Sequence, residues 1–206
     1  MPRTRLPTAV RREDIINASR RLFAERGYDG TSIEVIGRAV GLTGAAIYRH
    51  FKNKPAIFAA TFAGADQIIE DALAVAADQP AEEALDTIIR AQATVAVKHS
   101  DSMLIWLRER GRMPPRARRQ MADRRARLHE SMERCLAEIR PDLDDQQSAE
   151  VRNILTSISL GAADQSSVLD EDRRIEFMVD TSWVLVREGS PTKRTPRKRS
   201  AATRPR

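Results

Sequence analysis

The chain has 206 residues, only 4% of them aromatic, and a single cysteine, Cys135. That length can bury a real core, as one large domain or as a small domain joined to a larger one. A lone cysteine excludes an internal disulfide and a Cys-based metal cluster, and it points to a reducing compartment, the cytoplasm.

Ala and Arg dominate and long Val/Ile/Thr runs are missing, so the expected fold is all-α. No stretch of about 18 apolar residues occurs, and the N-terminus lacks an apolar signal core, so neither export nor membrane spanning is expected. The net charge of +6 is unevenly spread: residues 1–57 hold 11 basic against 5 acidic side chains, 58–189 hold 17 against 24, and 190–206 hold 7 against none. Basic ends of this kind attract phosphates; an acidic body does not.

Residues 1–10 read as a flexible basic arm. The spacing of Ile15, Ile16, Ser19, Leu22 and Phe23 then predicts a helix over 11–26, closed by Gly27 with Tyr28 folding back on its last turn. Thr31 and Glu34 have the spacing of a capping box, so a second helix starts near Ser32, turns Ile33, Ile36, Ala39 and Val40 inward and stops at Gly41. Thr43 caps a third helix, with Leu42 placed to pack on Ile47 four positions beyond the cap. Two short helices joined by a tight Gly-containing turn, after a longer one, form a helix-turn-helix domain over 11–57.

In "GLTGAAIYRHF" Ile47 and Phe51 face inward and Gly44, Ala45, Ala46, Tyr48, Arg49 and His50 are left outside. Small residues at a helix start let backbone amides approach phosphates and base edges in a major groove. Tyr48 and His50 can donate to phosphate oxygens, Arg49 can fork onto a guanine edge or a phosphate, and Lys52 and Lys54 add charge. Asn53 caps the next helix, with Pro55 in its first turn.

From about Ile15 to Phe62, including "LFAERGYDGTSIEVIGRAVGLTGAAIYRHFKNKPAIF", the chain resembles the TetR family of bacterial transcriptional regulators. The resemblance implies an all-helical homodimer, with a three-helix DNA-binding domain, a linking fourth helix, and a helical body that holds a ligand pocket and the dimer interface. It implies that Thr31 and Thr43 are phosphate-contacting caps, that Ala45, Ala46 and Arg49 face bases, and that Tyr48, His50 and Lys54 anchor the DNA backbone. Where the family often has a Lys or a hydroxyl residue this chain has Gly44 and Ala46, which leaves fewer side-chain donors.

In the body, 58–189, the apolar positions Phe58, Phe62, Ala65, Ile69, Leu73 and Ala76 predict one helix over 54–77. Leu85, Ile88, Ile89, Gln92, Val95, Ala96 and His99 predict the next. "SMLIWLRER" reads as a short apolar helix ended by Pro114-Pro115, and Met121, Arg125, Leu128, Met132, Cys135 and Ile139 stripe a long one, with Cys135 as a core thiol. Gln92, His99, Met103, Trp106 and Leu107 are the candidate pocket residues, because such pockets need apolar lining with a few polar groups. Nine arginines against two acids in 108–127 fit either a solvated helix face or an anion site for an effector such as an acyl-CoA thioester.

The last helices carry Val151, Ile154, Leu155, Ile158 and Ala162 over 145–163, then Ile175, Met178, Val179, Ser182 and Val186 over 171–187, widened by Trp183 and Val184. These residues fit an ordinary core or, given the resemblance, a dimeric four-helix interface. The tail 190–206 cannot bury enough apolar surface to order itself and reads as disordered and DNA-attracting. His50, His99 and His129 lie in different segments, and no Gly-rich phosphate loop, metal spacing or triad appears, so neither an enzyme nor a cofactor is expected.

The expected function is that of a cytoplasmic, nucleoid-associated bacterial repressor: a homodimer on a palindromic operator in double-stranded DNA, released by a small hydrophobic effector. An effector-independent architectural DNA-binding protein is the alternative.

Overall fold

The computed structural model describes residues 8–111, 113–162 and 167–188. Most of the basic arm and the whole basic tail expected from the sequence lie outside the described residues. The chain is all-helical: α1 (Thr8–Arg26), α2 (Ile33–Ala39), α3 (Gly44–Ile47), α4 (Lys54–Ala60), α5 (Ala63–Ala76), α6 (Ala81–Lys98), α7 (Ser100–Glu109), α8 (Pro115–Ile139), α9 (Asp145–Gly161) and α10 (Glu171–Glu188). Residues 8–10, expected in the arm, are the first turn of α1.

Two buried clusters organise these helices. The first joins α1 to α4: Ile15, Ile16, Leu22 and Phe23 meet Ile33, Ile36, Ile47, Phe51 and Phe58. Gly27 adopts φ 75°, the left-handed turn a glycine allows, and Tyr28 folds back to stack on Phe23 at 5.8 Å. Phe58 stands edge-on to Phe23, Tyr28 and Phe62 at 5.2, 4.9 and 5.2 Å, so four of the chain's few aromatics hold this small core. The second cluster fills the body, with Leu85, Ile88 and Ala96 of α6 wholly buried against α5, α8, α9 and α10.

α7 belongs to both clusters. Its Ile105 is fully buried in the first, while its Met103, two residues earlier and on the other side of the helix, packs on the second.

Two local expectations are corrected. The capping box was expected at Thr31, but Ser32 caps α2, its hydroxyl accepting from the Val35 amide at 3.3 Å. Thr31 is fully buried, its hydroxyl donating to the carbonyls of Leu22 and Gly27 at 3.2 and 2.9 Å around the end of α1. The helix expected over 54–77 is broken at Thr61 and Phe62 into α4 and α5, since the Thr61 carbonyl accepts instead from Arg20 Nε at 3.2 Å and Ser102 Oγ at 3.0 Å. Apolar spacing runs unbroken across that break, so periodicity alone cannot show it.

Ala39, expected inward, is exposed; the buried residue on that side of α2 is Gly37. A Cβ on Gly37 would stand 2.7 Å from the Leu42 carbonyl oxygen, where α2 crosses the turn into α3. Gly37→Ala is therefore expected to cost about 1–3 kcal/mol through overpacking, despite the better helix propensity of Ala. Gly44→Ala, whose Cβ would meet nothing nearer than 3.5 Å, should be close to neutral. Urea unfolding of the two variants measures the difference.

Candidate DNA-reading head and effector cavity

The reading surface is built by caps. Thr43 accepts from the Ala46 amide at 3.2 Å and starts α3; Asn53 accepts from the Ala56 amide at 2.9 Å and starts α4. Backbone bonds from Tyr48 to Gly44, from His50 to Ile47 and from Phe51 to Ile47 carry the helical turn past Ile47, so Tyr48, Arg49 and His50 follow it on the same rod. Ile47 is fully buried and fixes that rod in the first core.

Thr43, Ala45 and Arg49 are exposed, Tyr48 is 55% exposed, and Gly44, Ala46 and His50 are half-buried. The half-buried Lys54 lays its Nζ 4.1 Å from the Tyr28 ring centroid, and Arg12 lies 4.8 Å from that of Phe51, so both cations sit against the head by cation–π contact. The structure thus brings all but one of the expected DNA-contacting residues to one end of the molecule. Thr31 is the exception, since its buried hydroxyl is spent on α1.

A cavity of about 160 Å³ lies in the body. Phe62 lines it from the break before α5, α5 with Ala65, Asp66 and Ile69, α6 with Gln92 and Val95, and α7 with Ser102, Met103 and Trp106. α8 adds Met121, Arg124, Arg125, Leu128 and His129, and α9 adds Thr156, Ser159 and Leu160. Gln92, Met103 and Trp106 are where the sequence placed them.

Leu107 and His99 are corrected. Leu107, one turn beyond the cavity-facing Met103, is 38% exposed and does not line the cavity. His99 lies between α6 and α7, so close to Gly64 that a Cβ there would stand 2.8 Å from its Cε1, and it does not line the cavity. Burial, helped by the Arg20 charge, lowers its pKa.

Polar groups that sequence reasoning missed are Asp66, Ser102, His129, Thr156 and Ser159, together with Arg124 as a member of a network. Arg124, with its side chain 19% exposed, donates to Asp66 at 2.6 Å and to Glu70 at 3.0 Å, and Arg127 forks onto Glu70 at 2.5 and 2.9 Å. Burial raises the Asp66 pKa against the pull of Arg124, while the hydrogen bond from Arg127 is the main cause holding Glu70 low. Arg125 had a visible signal: it occupies an apolar stripe position.

His129 is held neutral. Burial first, then the Arg152 and Arg125 charges, lower its pKa to about 4, and it accepts from Arg125 Nε at 3.3 Å through Nε2. A histidine whose folded pKa lies below its unfolded value of about 6.5 takes up its proton first in the unfolded chain, so stability falls as pH drops from about 6.5 towards 4. His129→Gln is expected to flatten that slope by up to about one proton, measured as unfolding free energy against pH beside the parent.

The expected dimer residues divide between the subunit's own core and its surface. Val151, Leu155, Ile175, Met178, Val179 and Val186 are buried within the subunit's own core, Ile158 packs partly on it, and Trp183 donates to Asp86 at 2.7 Å. Ile154 does stand outside, 45% exposed, as do Phe177 at 63% and Val184 at 56%. Periodicity identified an apolar helix face without showing what covers it. Among the described residues no helix is long and apolar enough to cross a membrane.

Comparison with known proteins agrees with this architecture. Residues 15–61 match the family of bacterial regulatory proteins, tetR family. The HTH-type transcriptional repressor Rv1474c of Mycobacterium tuberculosis is 42% identical over 50 residues, 24% of this chain and 27% of that protein. The repressor AcnR of Corynebacterium diphtheriae is 38% identical over 52 residues, 25% and 27% of the two chains. The chain thus spans about a quarter of the length of the curated relatives it matches.

Over the whole fold the likeness is broader. The ketosteroid transcriptional regulator KstR2 of Mycobacterium tuberculosis superposes with a TM-score of 0.72 over 84% of this chain and 92% of its own, at 19% identity. AibR, in complex with isovaleryl coenzyme A and operator DNA, gives 0.67 over 83% and 97%, at 20% identity. Residues 15–61 thus match the tetR-family model, and the chain as a whole has the fold of these solved structures.

Proposed function

We propose that this protein is a homodimeric, sequence-specific transcriptional repressor, released from its operator by a small hydrophobic effector. The observation that carries the reading is the pairing of an exposed, cap-started α3 with an apolar cavity whose α7 wall is also part of the reading head's core. Thr43, Gly44, Ala45 and Ala46 approach the major groove closely, Arg49 reads a base, and Tyr48, His50 and Lys54 hold phosphates. The curated relatives are named as transcriptional repressors, which supports repression as the direction of control.

The exposed Phe177, Val184 and Ile154 of α9 and α10 form the apolar face that a second copy covers. Phe177→Glu is expected to leave the fold intact and turn a dimer into monomers, read by sedimentation equilibrium; an unchanged mass would move the interface elsewhere.

An acyl-CoA effector fits the cavity in part. Its volume of about 160 Å³ takes a short acyl group, and the nucleotide would lie outside, towards the exposed Arg116, Arg118 and Arg119. AibR, which binds isovaleryl coenzyme A, supports a short chain.

Selection of bound fragments from a genomic library tests the function. A palindrome is expected, with half-site centres about 34–36 Å apart or a multiple of that. Arg49→Ala should lower operator affinity by about 1–3 kcal/mol and relax one position in each half-site. Fragments with no shared sequence would favour the architectural alternative.

A further inference from the structure

The cavity carries an unbalanced charge that specifies its ligand more closely than its apolar walls do. Two arginines line it. Arg124 is saturated by the carboxylates of Asp66 and Glu70. Arg125 makes no ion pair with a carboxylate among the described residues: its Nε donates to His129 at 3.3 Å, and its guanidinium carbon lies 5.8 Å from the Trp106 ring centroid. His129 is neutral at pH 7, so it adds no second charge. Among the described residues, the Arg125 charge therefore stands beside an apolar chamber with no carboxylate paired to it.

Size narrows the apolar part. A cavity of about 150 Å³ lined by Leu, Ile and Phe takes benzene, and this one measures about 160 Å³. The hydrocarbon it encloses is therefore compact, on the order of six to nine carbons. Gln92 spends a donor on the Met132 sulfur at 3.2 Å and Ser102 donates to the Thr61 carbonyl, so these two polar groups of the interior are already engaged.

We propose that the effector is a compact cyclic or branched carboxylic acid, with its hydrocarbon in the cavity and its carboxylate on the Arg125 guanidinium. The inference rests on the reading of the cavity as the effector site. A planar carboxylate matches the guanidinium fork. Because Arg125 is exposed at the rim, the anion keeps part of its hydration and escapes the full penalty of burial. A coenzyme A thioester places a neutral carbonyl at that point and holds its phosphates a pantetheine arm away, which leaves Arg125 unanswered.

The test is calorimetric titration of the full chain at pH 7 with cyclohexanecarboxylate, its neutral amide cyclohexanecarboxamide, and the coenzyme A thioester of the same acid. The acid should bind about ten-fold or more tightly than the amide, the margin a charge-assisted hydrogen bond supplies. Arg125→Gln should erase that margin without weakening the amide, and Arg125→Lys should restore part of it. Equal binding of acid and amide, or a preference that survives Arg125→Gln, overturns the proposal. So does binding of the thioester alone, or of none of the three. Acid binding that leaves operator affinity unchanged would uphold the ligand class and remove the repressor-release reading instead.

Discussion

The arrangement of this protein turns on one carbonyl. Thr61 ends α4, and the carbonyls at a helix end have no intrahelical donor. Here the oxygen accepts from Arg20 of α1 and from Ser102 of α7. Thr61 and Ser102 are both buried, so leaving that acceptor unmet would cost about 1–3 kcal/mol. The break between α4 and α5, the seating of α1 and the position of α7 are thereby fixed by the same atom.

Because Ser102 also lines the cavity, the node connects the chamber to the reading head. α7 strengthens the connection with Ile105 buried in the head's core, and with Arg108 donating to the Ala24 carbonyl of α1 at 2.6 Å. Glu109 closes the joint: its carboxylate is buried against Gly27, where α1 ends, and its Oε2 has no hydrogen-bond partner. A carboxylate at the negative end of a helix dipole is an unfavourable neighbour, so this joint holds the head with less than the full stability its packing could give. A ligand that prefers a shifted α7 needs only a differential affinity to move the head, and operator DNA must oppose that ligand by the same factor.

What the sequence disclosed was local chemistry. Thr43, Asn53 and Gly27 act within a few residues of themselves, so their caps and turn could be read directly. Thr31 and Ser32 show the limit: the spacing to Glu34 pointed to Thr31, but its hydroxyl is engaged by the Leu22 and Gly27 carbonyls and the adjacent Ser32 caps α2. The break at Thr61 was invisible because Phe58, Phe62 and Ala65 keep a helical period across it. Gly37 was not singled out, because only the close approach of α2 to the Leu42 backbone gives it a role. On α10 the pattern found the face made by Ile175, Met178 and Val179, but the surface left open is made by Phe177 and Val184. The cavity was legible in part, through Gln92, Met103 and Trp106, whereas Asp66 was not singled out and Arg124 was one of an arginine run, because an ion pair that spans α5 and α8 leaves no trace in local spacing.

The most direct measurement is the affinity of a bound effector for the free protein and for the protein saturated with operator, made on the parent chain and on Ser102→Ala. The parent should bind its effector more weakly on DNA, by the factor through which the effector weakens DNA binding, and Ser102→Ala should shrink that factor. An effector affinity indifferent to operator in the parent would contradict the coupling of cavity and reading head through α7.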